Sequence, residues 1–508
     1  MPVRVVTAAE AAELDRRAIA SGTPSRVLMQ AAGAATARAI LERRGDAAGD
    51  GVAVYAGPGN NGGDAWIAAA ALARAGLTVR VAATGEPRSP DAAAARSDAL
   101  TVVAPGEPTG AERVVLDGLL GTGASGAPRG EIAAAIARIA ERHAGATVVA
   151  VDVPSGLDAT TGATPGAFVR AHLTVTYGSM KRGLLVNRDA AGAIVVADIG
   201  LGAVSGAWEA LPTLVDAAMV RAMLPGIPAS AHKGVRKRLA IVGGAPGMAG
   251  AAVLAARAAM RAGIGMTKLC LAPGSVEAAQ AAEPASMTTP WPVTDADARA
   301  LAEWAQALLI GPGLGRTNDA RALIERLLAA FRGPVVLDAD ALNVFEGARP
   351  ALAALLRGRA AVITPHEVEF SRLSGMPLAD VVAQRFEACG ALARELGCTV
   401  LLKGVPTVVS DGAGSDVSAA GTPVLATAGS GDVLGGIVAT LLAQTGQARA
   451  SAAAGAWVHG RAAELAGGGQ VRGVTLGDVV ASVRDVWRFD DAPGGPWLAE
   501  LAEAGERY

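Results

Sequence analysis

The 508-residue chain carries a formal net charge of −2, and 51% of its residues are hydrophobic but only 3% aromatic. It has no basic stripe, aromatic–basic interleaving or polybasic amphipathic segment, which argues against nucleic-acid and membrane-surface partners, and no uncharged apolar run of ~18 residues that could span a bilayer. The three scattered cysteines (Cys270, Cys389, Cys398) build no disulfide framework, and the N-terminus lacks an apolar signal core, so the expectation is a soluble cytoplasmic protein of two to four domains.

The first part alternates β-rich runs with helical patterns. Strands are predicted at 51–56, 77–83, 113–117, 147–152 and 172–177, with helices at 63–76, 90–98 and 129–142. Continuous apolar strands separated by helices predict a parallel sheet covered on both faces. Residues 201–230 are rich in proline and small residues, which places a domain boundary near 218. From 237 the alternation resumes through strands at 237–244, 266–272, 307–313, 335–340, 360–365, 398–403 and 406–411. Helices are predicted at 249–262, 274–282, 317–331 and 378–396, and the chain reads as helical from 431 onward.

In an open α/β sheet ligands sit beyond the carboxyl ends of the strands. Four such ends in the first part carry polar residues in glycine-rich turns. They are GPGNNGGDA (57–65), DGLLGTG (117–123), DVPSGLD (152–158) and YGSMKRG (177–183). Each alone could be an ordinary turn, because Asn and Asp tolerate positive φ. Together they read as a site. Asn61, Asp117 and Ser155 suit a hard, weakly charged cation, and the glycine N–H groups suit phosphate. In the second part, TAGSGDVLGG (427–436) puts glycines and an aspartate at the start of an apolar helix. This arrangement offers N–H groups to a transferring phosphoryl and a carboxylate to an attacking hydroxyl. Only five of the 45 basic residues are lysines, and Lys181 and Lys403 fall in these strand-end segments.

The N-N-G-G-D, D-x-L-x-G-T-G, V-D-x-P-S-G and K-x-G-L motifs make residues 1–215 resemble the NAD(P)H-hydrate epimerases. The resemblance implies a potassium ion held by Asn61, Asp117 and Ser155. It implies that the hydrated dinucleotide touches Asn60, Asn61, Gly62, Gly63, Asp64, Gly121, Thr122, Gly123, Ala124, Ser125, Gly126, Ala127 and Asp152. Asp152 is expected to do the acid–base chemistry at carbon 6, tuned toward neutral pKa by desolvation, with Lys181 supporting the site or a phosphate. One departure is Ala65, where glycine is common.

G-x-G-D at a helix start resembles the ribokinase-like kinases. With TPHEVEF (364–370), KGVPT (403–407), HKG (232–234), GGAPGMAGA (243–251), GPGLG (311–315) and LDADALN (337–343), residues 225–490 resemble the ADP/ATP-dependent NAD(P)H-hydrate dehydratases. His366 replaces the asparagine of the kinases' Asn-x-x-Glu, Glu369 keeps its magnesium-supporting glutamate, and Arg236-Lys237 departs from H-K-G-x-x-G. The resemblance implies Asp432 as base and Gly429, Ser430 and Gly431 around the transferring phosphoryl. Lys403, Gly404, Val405, Pro406, Thr407 and Gly431 would lie by the nucleotide, and Ala252, Gly313, His366 and Asp432 by the hydrate.

The expected architecture is α/β in two domains. Residues 1–218 form a Rossmann-like three-layer α/β/α epimerase domain, and 219–508 a ribokinase-like dehydratase domain. The expected function is repair of hydrated NADH and NADPH (NADHX, NADPHX): epimerisation of the R and S forms, then dehydration of the S form. ADP with magnesium is the expected nucleotide, giving AMP and phosphate, and a homo-oligomer is expected. A ribokinase-like small-molecule kinase with a non-catalytic first domain is the alternative.

Overall fold

The computed structural model describes residues 2–103, 106–201, 209–489 and 497–505. Its chain divides into two compact units. One spans the chain to Leu214 and adds a C-terminal stretch carrying strand Trp497–Leu501; the other starts at Val215. Of the proline-rich stretch 201–230, residues 202–208 lie outside the described residues.

The first unit is a seven-stranded sheet in the order Trp497–Leu501, Ala193–Ala197, Leu173–Tyr177, Thr147–Val151, Val114–Gly118, Val52–Ala56, Val79–Ala83. All pairings are parallel except the first, where Trp497 pairs with Ala197 in antiparallel register. Val52–Ala56 is wholly buried, as a parallel strand covered on both faces must be. From it the chain steps to Val79–Ala83 on one side and then to Val114–Gly118 on the other. The topological switch point therefore falls between Val52–Ala56 and Val114–Gly118, where ligands enter such sheets.

In the second unit the strands run Met287–Pro290, Met266–Leu271, Arg238–Val242, Ala307–Ile310, Val335–Leu337, Ala361–Ile363, Thr399–Leu402, Thr407–Ser410, Ser415–Ser418. They are parallel as far as Thr399–Leu402, and the last two turn back antiparallel. Here the switch lies between Arg238–Val242 and Ala307–Ile310. Helix Ser430–Thr445 packs on helix Ala249–Arg261 so closely that a Cβ on Gly436 would strike the Ala255 carbonyl.

Several expectations need correction. The N-N-G-G-D stretch is not a loop before a helix but the first turn of helix Asn60–Arg74. The predicted helix at 378–396 breaks at Gln384 into Leu378–Ala383 and Arg385–Leu396. The region after 431 is not helical throughout, because Trp497–Leu501 is a strand of the first sheet. That strand carries a buried Trp497 with Arg43 over its ring at 5.8 Å, and Glu500 pairs with Arg43 at 2.6 Å. Large apolar burial decided its place over local propensity. Trp497→Ala should therefore remove about 3 kcal/mol of protection from the amides of Ala193–Ala197, read by hydrogen exchange.

Candidate active sites

At the first switch point, tight backbone contacts set the geometry. A Cβ on Gly57 would meet the Leu119 carbonyl, and one on Gly62 would meet the Gly57 carbonyl. Helix Asn60–Arg74 can thus begin directly against the sheet edge. Its N-cap, Gly59, offers no side chain to the first-turn N–H groups.

These N–H groups border a cavity of about 580 Å³ lined by Asn60, Asn61, Asp64, Gly121, Thr122, Gly123, Ala124 and Asp152, together with Asp15 and Lys181. Of the residues expected to touch a dinucleotide, Gly62, Gly63, Ser125, Gly126 and Ala127 are not in this lining. Gly62 and Gly63 are buried and serve packing: a Cβ on Gly63 would lie 2.7 Å from the Met29 sulfur. Ala65 packs without exposure onto Gly118, whose missing side chain makes room for its methyl.

Asp117 and Ser155 are buried and tied to Asn61 through one turn. Ser155 Oγ donates to Asp117 Oδ1 at 2.6 Å, and Ser155 N to Oδ2 at 2.8 Å. Leu120 N donates to Ser155 Oγ at 2.9 Å, and Asn61 Nδ2 to the Leu120 carbonyl at 2.9 Å. Burial pushes the Asp117 carboxyl up to about 6 despite those hydrogen bonds.

Asp152 departs from expectation. Burial pushes its carboxyl up, but Lys181 Nζ at 2.8 Å and hydrogen bonds from Thr122 and Thr176 outweigh burial and hold it below the usual range. It is a poised anion, not a carboxyl tuned toward neutrality, and its φ of 66° places it in the left-handed region. The carboxyls that burial raises are others. Burial, followed by the Asp152 and Asp15 charges, holds Asp64 well above the carboxylate range, and burial also raises Asp15. Sequence reasoning missed Asp15 entirely; it lies on helix Ala8–Ala20, a helix not predicted. Carboxyls whose environments split their pKa values make an acid–base pair.

The second site repeats the device. Helix Ser430–Thr445 starts at Gly429, whose φ of 90° favours glycine and which supplies no side-chain cap. A Cβ on Gly431 would lie 3.2 Å from Lys403 Nζ and 3.6 Å from Asp338 Oδ2. Lys403 Nζ donates to Asp338 Oδ1 at 2.9 Å and stands 3.8 Å from Glu369 Oε2. Thr364 Oγ1 donates to Asp338 Oδ1 at 2.7 Å, while Asp338 Oδ2 is buried without a partner among the described residues. Burial, reinforced by Asp338 and opposed by Lys403, pushes Asp432 up to about 7. Asp338 had been read only as part of a motif; a charged residue closing an apolar strand was the available signal.

At the switch point itself, Gly244 N donates to the Pro312 carbonyl at 2.8 Å and Ala245 N to the Gly313 carbonyl at 2.7 Å. Gly313 has φ 58°, and a Cβ there would sit 2.8 Å from Met248 Cβ. Ala252 is fully buried and its methyl packs in the core. His366 turns out to be a helix cap. Its Nδ1 accepts from Val368 N at 3.1 Å and Glu369 N at 3.4 Å, while Glu369 reaches back to His366 N at 3.0 Å. Burial lowers the His366 pKa, so the ring is neutral and can accept these bonds.

Two α/β units, each with an uncapped helix start and a lysine-paired carboxylate at strand ends, define an enzyme class that handles anionic, nucleotide-like ligands. Family models match at residues 25–183, described as YjeF-related protein N-terminus, and at 239–483, described as NAD(P)H-hydrate dehydratase. The bifunctional NAD(P)H-hydrate repair enzyme of Moorella thermoacetica is 36% identical, covering 91% of this chain and 92% of its own. That of Coxiella burnetii is 35% identical, covering 93% and 97%. The solved ADP/ATP-dependent NAD(P)H-hydrate dehydratase of Bacillus subtilis, co-crystallised with ATP/Mg2+, is 28% identical with a TM-score of 0.49, over 54% of this chain and 98% of that one. The chain belongs to the family of bifunctional NAD(P)H-hydrate repair enzymes.

The Lys181–Asp152 pair can be tested directly. Lys181→Met leaves a buried carboxylate uncompensated, so the Asp152 pKa should rise in a carboxyl ¹³C NMR titration, with a stability loss of about 3 kcal/mol.

Proposed function

We propose that this chain repairs hydrated NADH and NADPH with two activities. The first domain, assigned to residues 1–218, interconverts the R and S hydrates; the second, 219–508, dehydrates the S form with ADP, giving AMP and phosphate. The observation that carries this reading is the presence of both charge-split sites on one chain whose relatives are repair enzymes over nine-tenths of its length. Cytoplasmic action on small-molecule substrates, as a homo-oligomer, completes it.

In the first site the open helix start and the Gly121–Ala124 turn would receive the dinucleotide phosphates. Asp152, held ionised by Lys181, would take the hydroxyl proton as the C6–N1 bond opens to an aldehyde. Asp64, whose carboxyl burial raises, would give a proton to the leaving nitrogen, and re-addition of that nitrogen to the opposite face would return both protons and invert carbon 6. Asn61, Asp117 and Ser155 fit a potassium ion. They are hard oxygen donors with one carboxylate among them, and that carboxylate is buried without a cationic partner among the described residues. A potassium ion held there would supply the missing charge and fix the Leu119–Leu120 turn.

In the second site Asp432 would take the proton of the ring hydroxyl. The N–H groups at the Gly429–Gly431 helix start, with Lys403, would hold the transferring phosphoryl. Phosphate then leaves where hydroxide could not, which is the reason to spend a nucleotide. The unpartnered Asp338 Oδ2, with Glu369 nearby, fits a magnesium ion accompanying ADP, which would neutralise phosphate charge. His366 caps its helix as an asparagine would, so it does not by itself separate a dehydratase from a kinase. The product does.

With a mixed R/S hydrate preparation, magnesium, potassium and ADP, the dihydropyridine absorbance should recover fully. Asp152→Asn should stop the fast phase at the S fraction, and accumulation of a phosphorylated hydrate in place of free phosphate would favour the kinase. For dehydration, kcat/KM should rise with pH around a midpoint of about 7, because Asp432 accepts a proton only when ionised. Asp432→Asn should lower it by ~10²–10⁴-fold and abolish that limb. A third check needs no turnover. The buried Asp117 carboxylate costs stability above about pH 6, where it is ionised, and that cost vanishes on protonation below. Replacing tetramethylammonium by potassium chloride should therefore raise Tm most above this pH. The gain should shrink as pH falls through it and disappear in Asp117→Asn.

A further inference from the structure

Arg385 opens helix Arg385–Leu396, is only 4% exposed, and belongs to none of the motifs above. Its guanidinium spans two segments. Nη1 donates to the Pro406 carbonyl at 2.7 Å, and Nη2 pairs with the Glu367 carboxylate. Gly404 lies against the same group: its φ is 151°, and a Cβ there would strike Nη1 and come 3.0 Å from Glu367 Oε1. A second tie runs beside it, from Lys403 N to the Pro365 carbonyl at 2.9 Å. Within the loop Thr407 Oγ1 donates to the Gly404 carbonyl at 3.2 Å, while Val405 at its tip is 62% exposed.

Polar ties of this kind hold an exposed, glycine-containing loop in one conformation. The planar fork of arginine suits two acceptors at once, and a lysine ammonium would serve one of them well. We propose that Arg385 is a positioning residue of the second site: it clasps the Lys403–Thr407 loop to the His366–Glu369 turn and so sets nucleotide affinity. This rests on the reading above that the loop receives the nucleotide. The guanidinium gives Nη1 to the Pro406 carbonyl and Nη2 to Glu367, so its effect passes through the loop.

The test uses the full chain and measures ADP affinity by calorimetry without hydrate, then kcat and KM for ADP with S hydrate. Arg385→Met should weaken ADP binding ~10-fold, the scale of one charge-assisted hydrogen bond, with kcat at saturating ADP changed less than about threefold. Arg385→Lys should fall between it and the parent. Glu367→Gln breaks the clasp from a partner that is one-third exposed and so guards against misfolding of the arginine variants; it should weaken binding in the same direction. Combining it with Arg385→Met should add nothing further. A merely structural role would instead reduce binding stoichiometry and kcat while leaving affinity unchanged, and that result would overturn the proposal. Unchanged ADP affinity in both Arg385→Met and Glu367→Gln would do so too, leaving the dehydratase reading intact. A parent chain that binds neither ADP nor ATP would overturn both.

Discussion

In each candidate site a helix begins at a glycine, Gly59 or Gly429, that offers its first turn no side-chain cap. Five other helices are capped by hydroxyls: Thr7, Ser89, Thr294, Thr317 and Thr475 each accept from a first-turn N–H. At Gly59 and Gly429 no side chain does so. Leaving N–H groups open costs helix stability and keeps them, with the helix dipole, for an anion. Glycines bring backbone against backbone at Gly57, Gly62 and Gly436, where any side chain would push the helix off its sheet or its neighbour.

Charge is then divided by one lysine in each site. Lys181 pairs with Asp152 and keeps it ionised, while Asp64 and Asp15 are left to burial and are pushed up. Lys403 spends its hydrogen bond on Asp338, so Asp432 feels burial and a neighbouring carboxylate and rises to about 7. A compact ammonium is well suited to this task, because it neutralises one carboxylate closely without a fork that would engage both.

Much of this was legible in the sequence. The apolar strands gave the sheets, and the residues following them gave Asn61, Asp117, Ser155, Asp152 and the Gly429–Asp432 turn. Scarcity also spoke: two of five lysines stand in the sites of a chain that otherwise uses arginine. What failed failed for physical reasons. Asn and Gly read as loop formers, yet Asn60–Gly63 is helical because the backbone contacts admit only a helix start there. Ala252, which the resemblance implies as a hydrate contact, is a fully buried residue of helix Ala249–Arg261. The state of a carboxyl depends on neighbours far apart in the chain, so no local pattern could separate Asp152 from Asp64. The capping role of His366 is the reverse case: a cap residue followed three residues later by glutamate is a pattern the sequence shows directly.

Both sites hold more carboxylates than lysines, and they differ in where the unpaired carboxylate lies. In the first, Asp15, Asp64 and Asp152 share the cavity with one Lys181, while Asp117 is buried apart from that lysine among a hydroxyl and an amide. Around the second stand Asp338, Glu369 and Asp432 against one Lys403, an excess of negative charge that only a multivalent cation or protonation can relieve. Inverting a hydroxyl moves protons and little net charge. Transferring a phosphoryl gathers several negative oxygens at one helix start, and it must be met by counter-charge brought in with the nucleotide itself.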